Sequence, residues 1–270
     1  MHSSGKIEGL PYSFSRWTDV PAGKWPWFRA MLQQGWMWAP DPRTAGPRPW
    51  SLSPEDTLAL VFWTRHPGAL LQDKALLRPY RLHIHLTVTG WAEVEHGVPG
   101  LQEGAELLRA AIGEYGADQV TWRFSPVPLV PDAAIRFERI ASQLSPGVSV
   151  FASYLQANDR VPETRSLEDQ ATLAQQLAEI ADSYGHRFRF CAEDSVLQAV
   201  PHLKGVCESG DWHGATLREP CGCALAVDPF TINEACCYGC EFCYAADLSL
   251  NPRKRNTTKQ HLMKRLPLVP

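Results

Sequence analysis

The sequence predicts an α/β protein: a (β/α) barrel, complete or partial, followed by a C-terminal cysteine-rich loop. Short apolar runs alternate with helical patterns over residues 1–205, which predicts parallel strands joined by crossover helices. Roughly six or seven such units fit a (β/α) barrel, and a doubly wound open sheet is the alternative. Beyond residue 205 the regular pattern fades and most of the cysteines follow.

The strand predictions rest on apolar content and on where each run stops. The run at 58–64 is continuously apolar, as in a buried strand, whereas 82–89 alternates. In the alternating run, Leu82, Ile84, Leu86 and Val88 share one face. His83 and His85 lie on the opposite face, either as polar-face residues or as a two-histidine metal site. The predicted strands cover 11–15, 58–64, 82–89, 119–124, 148–155 and 187–191.

The helix predictions follow from apolar positions at helical spacing, and they cover 25–34, 101–115, 132–144 and 166–183. Asp132 is the expected N-cap of the third helix, and Ser166 with Asp169 resembles a capping box at the start of the fourth. The Pro- and Gly-rich stretch 40–54 predicts a long loop.

The composition is that of a globular protein, because 44% of the 270 residues are hydrophobic and 20% are charged. This balance excludes a disordered, collagen-like or coiled-coil chain. The formal charge of −3 hides an asymmetry, since residues 251–270 carry six Lys and Arg and no acid. This basic tail could bind nucleic acid, or it could be a solvated end that aids solubility.

The chain contains no apparent signal peptide, because residues 1–9 lack a basic stretch followed by an apolar run. Its apolar runs are also too short to span a bilayer. We therefore expect a cytoplasmic protein with reduced thiols and no membrane partner. Reduced thiols suit an iron–sulfur cluster or zinc.

The cysteines are clustered, with seven of the eight between Cys207 and Cys243, which favours a metal site over a disulfide scaffold. Cys236, Cys240 and Cys243 have the spacing C-x3-C-x2-C, and Phe242 precedes the third cysteine. Three thiolates at this spacing could hold a [4Fe–4S] cluster and leave one iron open.

Zinc is the alternative to a cluster at these three cysteines, with Cys223 or Cys221 as the fourth ligand. Cys221 and Cys223 could instead hold a second metal with Cys207 and Cys191, or all four could be plain buried thiols.

The cysteine loop resembles the C-x3-C-x-aromatic-C signature of radical S-adenosylmethionine enzymes, and the following Tyr244-Ala245 is similar to the spore photoproduct lyase branch. The resemblance implies a cluster whose open iron binds S-adenosylmethionine, and an electron donor as partner. Only 27 residues follow Cys243. Contacts to S-adenosylmethionine would therefore come from the preceding chain, as in a circular permutation.

A second resemblance covers nearly the whole chain, which is similar to the bacterial family catalogued as domain of unknown function 1848. The matching motifs occur in order: Ser-Arg-Trp-Thr-Asp at 15–19, Val-Phe-Trp-Thr at 61–64, Thr-Gly at 89–90, Thr-Trp-Arg-Phe-Ser-Pro at 121–126, Cys-Ala-Glu at 191–193 and Cys-Gly-Cys at 221–223. The resemblance implies a C-terminal cysteine loop related to the radical S-adenosylmethionine loop, with no established reaction.

Charged and polar residues follow several predicted strands, where a barrel would gather its catalytic loops. We expect Arg16, Asp19, Arg123 and Glu193 to bind substrate or cofactor at the catalytic site. Arg16 could hold a carboxylate or phosphate bidentately, or it could form a structural ion pair with Asp19. The residues expected to contact the cofactor are Thr64, Glu95, Phe242 and Tyr244.

The sequence therefore predicts a barrel-like body (1–205), a cysteine-rich segment packed on its mouth (206–250) and a basic tail (251–270). We expect a radical S-adenosylmethionine-type enzyme with an unknown substrate. The alternative is a non-catalytic iron–sulfur or zinc module that associates with nucleic acid through the tail.

Overall fold

The computed structural model describes residues 10–128, 130–155, 166–190, 193–207, 217, 222–230 and 236–243. The strands are β1 (Tyr12–Phe14), β2 (Trp36–Pro40), β3 (Pro47–Ser51), β4 (Leu60–Thr64), β5 (Leu82–Thr87), β6 (Glu95–His96), β7 (Val120–Phe124), β8 (Ser149–Ala152), β9 (Arg187–Phe190) and β10 (Gly239–Cys240). The helices are α1 (Val20–Gly23), α2 (Trp25–Gln34), α3 (Gly68–Gln72), α4 (Lys74–Leu77), α5 (Leu101–Tyr115), α6 (Ala133–Ala141), α7 (Leu167–Ser183) and α8 (Asp194–Ala199), with a 3-10 turn at Pro201–Leu203.

Six of the strands form one parallel sheet in the order β1-β4-β5-β7-β8-β9, which is also their order along the chain. Both edges are extended by single parallel bridges. Val227 pairs with Tyr12 at the β1 edge, and Lys204 pairs with Phe190 at the β9 edge. The predicted α/β class with parallel strands and crossover helices is confirmed.

The two faces of the sheet differ in chemistry. The face toward the helices is apolar and belongs to the main core, with Ile84, Leu86, Trp122 and Phe188 among its buried side chains. Strand residues alternate between faces, so the opposite face carries the intervening positions. There His85 is fully buried, although its polar-face position in the sequence predicted exposure unless it bound a metal.

Several predicted elements have the bounds that the pattern indicated, since α2 and α5 cover 25–34 and 101–115. Ser166 caps α7 as expected, because its hydroxyl accepts the amide N–H of Asp169 at 3.1 Å. Asp132 does not cap α6 with its side chain. Its carboxylate instead accepts from Arg136 Nε at 3.0 Å, one helical turn further on.

The stretch predicted to be a loop contains most of a two-stranded hairpin, β2–β3. Pro47 and Pro49 belong to its second strand. Proline is tolerated there because a two-stranded ribbon leaves one edge of each strand without ladder bonds. Trp50 fixes the hairpin, since its indole N–H donates to the Ala39 carbonyl at 3.2 Å and the Arg48 guanidinium stacks 3.8 Å from its ring centre.

Within the described part of the chain, no helix is both long and apolar enough to cross a membrane.

Helix α5 packs so closely on the end of β5 that its two glycines should respond oppositely to alanine. A Cβ at Gly104 would lie 2.6 Å from Val88 Cγ1, whereas a Cβ at Gly113 would meet nothing within 4 Å. Gly104→Ala should destabilise the protein by about 1–3 kcal/mol through overpacking against a stiff valine. Gly113→Ala should stabilise it by up to about 1 kcal/mol through helix propensity. Urea unfolding of both variants checks this, and equal effects would contradict the packing argument.

Candidate functional site

The carboxyl ends of the parallel strands meet at one edge of the sheet, where active sites of α/β proteins gather. Arg16 and Asp19 follow β1, Thr64 ends β4, and Glu95 lies in the segment after β5. Glu193 follows β9 directly before α8. These predicted site residues therefore share one edge, while Arg123 lies within β7.

Asp19 joins the ends of β1 and β4. One carboxylate oxygen accepts the Ala22 amide at 3.0 Å and the Thr64 hydroxyl at 2.8 Å, and the other accepts the Arg65 amide at 2.7 Å. Burial raises the pKa of Asp19 to about 7, although these hydrogen bonds stabilise the carboxylate and act to lower the pKa. The carboxylate of Asp19 thus has backbone and hydroxyl donors as partners, and Thr64 is engaged in the same contact.

A buried ion pair lies beside this contact. Arg65 Nη1 is 2.6 Å from Glu95 Oε1, and the exposed fractions of their side chains are 14% and 1%. The second oxygen of Glu95 accepts the Thr89 hydroxyl. The pair therefore ties the segment after β5 to the end of β4. Sequence reasoning missed Arg65, although it directly follows the strand residue Thr64.

The cysteine loop is anchored to the segment after β5. Strand β10 pairs antiparallel with β6, so Cys240 lies opposite Glu95. Phe242 stacks on Trp91 with ring centres 5.4 Å apart and an interplanar angle of 15°. The Glu241 amide donates to the Val94 carbonyl at 3.0 Å. Phe242 thus fixes the loop by aromatic packing.

The three cysteines of the C-x3-C-x2-C spacing have different environments. Hydrogen bonding from the Cys237 thiol, and then from the backbone amides of Tyr238 and Asp19, lowers the pKa of Cys236 to about 6 despite burial. Burial raises the pKa of Cys240 to about 12, and Arg65, Glu95, Cys243 and Cys236 are its charged neighbours. Cys236 and Cys240 therefore lie near the residues that follow β1 and β4, since Asp19 acts on the pKa of Cys236 and Arg65 on that of Cys240.

Among the residues that the structure describes, no three His, Cys, Asp or Glu side chains are arranged so that they could hold a metal ion. Tyr244, Cys221, Cys191 and the basic tail lie outside the described residues.

Cys223 lies in a separate cluster from the cysteine loop. Its sulfur is 3.5 Å from that of Cys207, and both pack against Phe151 and Trp63. A zinc site on the loop would need Cys223 or Cys221 as fourth ligand. In this structure Cys223 has Cys207 as its sulfur neighbour instead.

The face of the sheet opposite the helices, here called the inner face, carries aromatic and cationic side chains in contact. His85 stacks on Trp63 at 3.9 Å with an interplanar angle of 15°, and His83 meets His85 edge-on at 4.5 Å. The Arg123 guanidinium lies 5.3 Å from the Trp63 ring centre. Burial, and then the charges of His83, Arg123 and Arg16, hold the pKa of His85 well below its usual range. The His85 imidazole is therefore neutral near pH 7.

Glu193 connects the ends of β8 and β9. Its carboxylate accepts the Tyr154 amide at 2.8 Å, and the residue is buried. This contact gives Glu193 a positioning function at the edge of the sheet.

Asp228 is a site residue that the sequence reasoning did not identify. It follows the segment that pairs with β1, and its carboxylate accepts from the Ser15 hydroxyl at 2.7 Å, the Phe230 amide at 3.0 Å and the Arg16 amide at 3.1 Å. Its position in an Asp-Pro-Phe turn was the available signal. Asp228 holds the backbone of Arg16 in place.

The partly buried carboxyl of Asp228 should make stability depend on pH. Burial raises its pKa to about 6, so the folded state binds a proton more tightly than the unfolded chain. Between pH 4 and 6 the free energy of unfolding should therefore fall as pH rises, by up to about 3 kcal/mol from this group. Asp228→Asn should remove that decrease. Urea unfolding across this range measures it, and parallel pH profiles for both proteins would count against the assignment.

Comparison with known proteins gives one match. A sequence profile described as Domain of unknown function (DUF1848) matches residues 12–245, which is most of the chain. No curated protein and no solved structure matches this chain.

Proposed function

Because this chain belongs to the family described as a domain of unknown function (DUF1848), a description that assigns no reaction, we propose its function from the site itself. The protein is an iron–sulfur enzyme of the radical S-adenosylmethionine type. Cys236, Cys240 and Cys243 hold a [4Fe–4S] cluster, and the substrate enters at the same edge of the sheet.

The observation that carries this proposal is the position of the cysteine loop over the ends of β1, β4 and β5. Cys236 accepts the amide N–H of Asp19 after β1, and Cys240 pairs with Glu95 after β5. Arg65, after β4, is a charged neighbour of Cys240. Loops at this edge build the active sites of (β/α) proteins.

The donor types suit such a cluster, and the loop would have to rearrange to bind it, since the described residues contain no three ligands placed around one metal ion. Cysteine thiolates are the ligands of [4Fe–4S] clusters, and three of them leave one iron open. The Cys237 thiol and the amides around Cys236 favour its thiolate, and the cationic Arg65 beside Cys240 would offset the negative charge of thiolate ligands. When bound, the cluster supplies an electron and an open iron for S-adenosylmethionine, so the enzyme requires an electron donor as partner.

The chain's own residues divide into two groups. Asp19, Glu95 and Glu193 are positioning residues, because their carboxylates accept hydrogen bonds from the protein at the strand ends. Arg123 lies on the inner face, where it can contact substrate or cofactor. Phe242 keeps the loop against Trp91, which holds the cysteines in place over the strand ends.

We also propose that the sheet curls into a (β/α) barrel. Neighbouring strands lie about 4.8 Å apart, so β4 and β8, three steps apart, would be about 14 Å apart in a flat sheet. Trp63 of β4 and Phe151 of β8 nevertheless pack in one cluster with Cys207 and Cys223. Cys207 follows Lys204, whose segment extends the β9 edge of the sheet, and Cys223 precedes Val227, whose segment extends the β1 edge. The contact between Cys207 and Cys223 therefore supports closure of the sheet.

Anaerobic reconstitution with iron and sulfide tests the enzyme. The expected product has about four irons and four acid-labile sulfides per chain. Its reduced electron paramagnetic resonance signal should change on adding S-adenosylmethionine and stay unchanged on adding 5′-methylthioadenosine, which lacks the amino-acid group. An intact cluster that never responds to S-adenosylmethionine would contradict the enzyme and favour a non-catalytic iron–sulfur module.

A further inference from the structure

The inner face of the sheet contains an arginine and a histidine that both lie against one tryptophan. The Arg123 guanidinium lies 5.3 Å from the ring centre of Trp63, and His85 stacks on the same ring at 3.9 Å. Since β5 and β7 are adjacent and in register, His85 lies opposite Thr121, two residues before Arg123. The positions of Arg123 and His85 are therefore fixed by neighbouring strands, with Trp63 of β4 as a common platform.

Both side chains have buried nitrogen atoms that lack partners. His85 is 0% exposed, and neither of its ring nitrogens has a hydrogen-bond partner among the described residues. One terminal nitrogen of Arg123 is likewise buried without a partner there. Buried polar groups are nearly always hydrogen-bonded, so each such atom calls for a missing partner.

The missing partner must also balance the positive charge of Arg123. Within the described ranges no carboxylate lies at ion-pair distance from Arg123, and its charge is close enough to His85 to disfavour protonation of that imidazole. A partly buried charge without a counter-charge is unfavourable, and water would supply hydrogen bonds but no negative charge. An oxyanion satisfies both requirements, because guanidinium and a neutral imidazole N–H both donate to it.

We propose that Arg123 and His85 bind the oxyanion group, a carboxylate or phosphate, of a small-molecule substrate. The assignment of this oxyanion to a substrate rests on the proposed enzyme function. Trp63 orients the guanidinium from one side. Because His85 is buried while Arg123 is partly exposed, the anion enters past Arg123 and reaches His85 last.

Isothermal titration of the full chain with inorganic phosphate and with acetate, before cluster reconstitution, tests the anion site. At least one of the two should bind saturably to the parent protein. Arg123→Gln should weaken that binding by at least roughly tenfold, since a charge-assisted hydrogen bond contributes that much. His85→Phe, which keeps the stacking on Trp63 but loses both nitrogens, should also weaken binding. Arg109→Gln, at an exposed position of α5, is the matched control and should bind as the parent does.

Binding of neither anion, or equal binding by the parent and by a folded Arg123→Gln or His85→Phe variant, would overturn the site. Circular dichroism establishes folding, and either variant suffices if the other does not fold. Displacement of the bound anion by S-adenosylmethionine would overturn the assignment to a substrate, since the anion would then occupy the carboxylate position of the cofactor. If S-adenosylmethionine does not displace the anion, the assignment to a substrate is supported. The titration needs no cluster. A protein that binds anions through Arg123 but builds no cluster would therefore refute the proposed enzyme function and leave the anion site intact.

Discussion

Replacing Cys240 by alanine should leave the reconstituted protein with almost no [4Fe–4S] cluster, whereas the parent should hold about four irons per chain. Cys240 is the buried member of the three loop cysteines, and its backbone pairs with Glu95 on β6. Only two of the three proposed ligand thiolates would remain, and the strand pairing that fixes the third position offers no replacement. Iron and acid-labile sulfide content after anaerobic reconstitution measures the loss.

Two neighbouring cysteines provide the controls. Cys237→Ala changes an exposed thiol adjacent to Cys236 and should retain the cluster. Cys223→Ala should retain it as well, because Cys223 packs against Cys207 instead of the loop. Full iron content in the Cys240 variant would refute the three-cysteine site. Loss of all metal in the Cys223 variant would instead favour the closed zinc or iron–sulfur module with four protein ligands.

Glu95→Ala should destabilise the protein by about 3–5 kcal/mol, because it leaves the Arg65 charge buried without its partner. The side chain of Glu95 is only 1% exposed, and that of Arg65 is 14% exposed. The variant also removes the acceptor of the Thr89 hydroxyl. Urea unfolding followed by circular dichroism measures the free energy of unfolding.

The matched control is Glu241→Ala, which removes another ion pair of the same region. Glu241 and His96 are 57–60% exposed, so their contact should contribute less than about 1 kcal/mol. The double variant Arg65→Ala/Glu95→Ala should be less destabilised than the sum of its single variants, because it removes both charges. Additive effects would show that the two residues act independently, contrary to the ion pair.

The sequence predicted the elements that depend on local periodicity. The bounds of α2 and α5 agree with the helical spacing of apolar residues, and the six sheet strands lie within the predicted runs. The sequence prediction was wrong at β2–β3, where Pro47 and Pro49 indicated a loop and the structure has a hairpin. Proline prevents a strand from pairing on both sides, but a hairpin needs only one paired side, and composition does not reveal which case applies.

The sequence also identified several residues that the structure places at one edge of the sheet. Charged residues after strands identified Asp19, Glu95 and Glu193, since parallel strands bring their carboxyl ends to one edge. Arg65 and Asp228 were missed because their significance lies in partners distant along the chain, Glu95 and Ser15. The burial of His85 was also missed, because an alternating strand identifies two faces and cannot say that both are covered.

The sequence by itself determined the α/β class, the positions of the six sheet strands along the chain and the spacing of the three loop cysteines. These are local properties, fixed by which residues recur along a few turns or strand steps. Only the tertiary structure decided that Cys236 lies at Asp19, that Cys240 lies opposite Glu95, and that Cys223 belongs with Cys207. It also decided that Arg123 and His85 both lie against Trp63. Such contacts depend on pairing between residues distant along the chain, which no local pattern encodes.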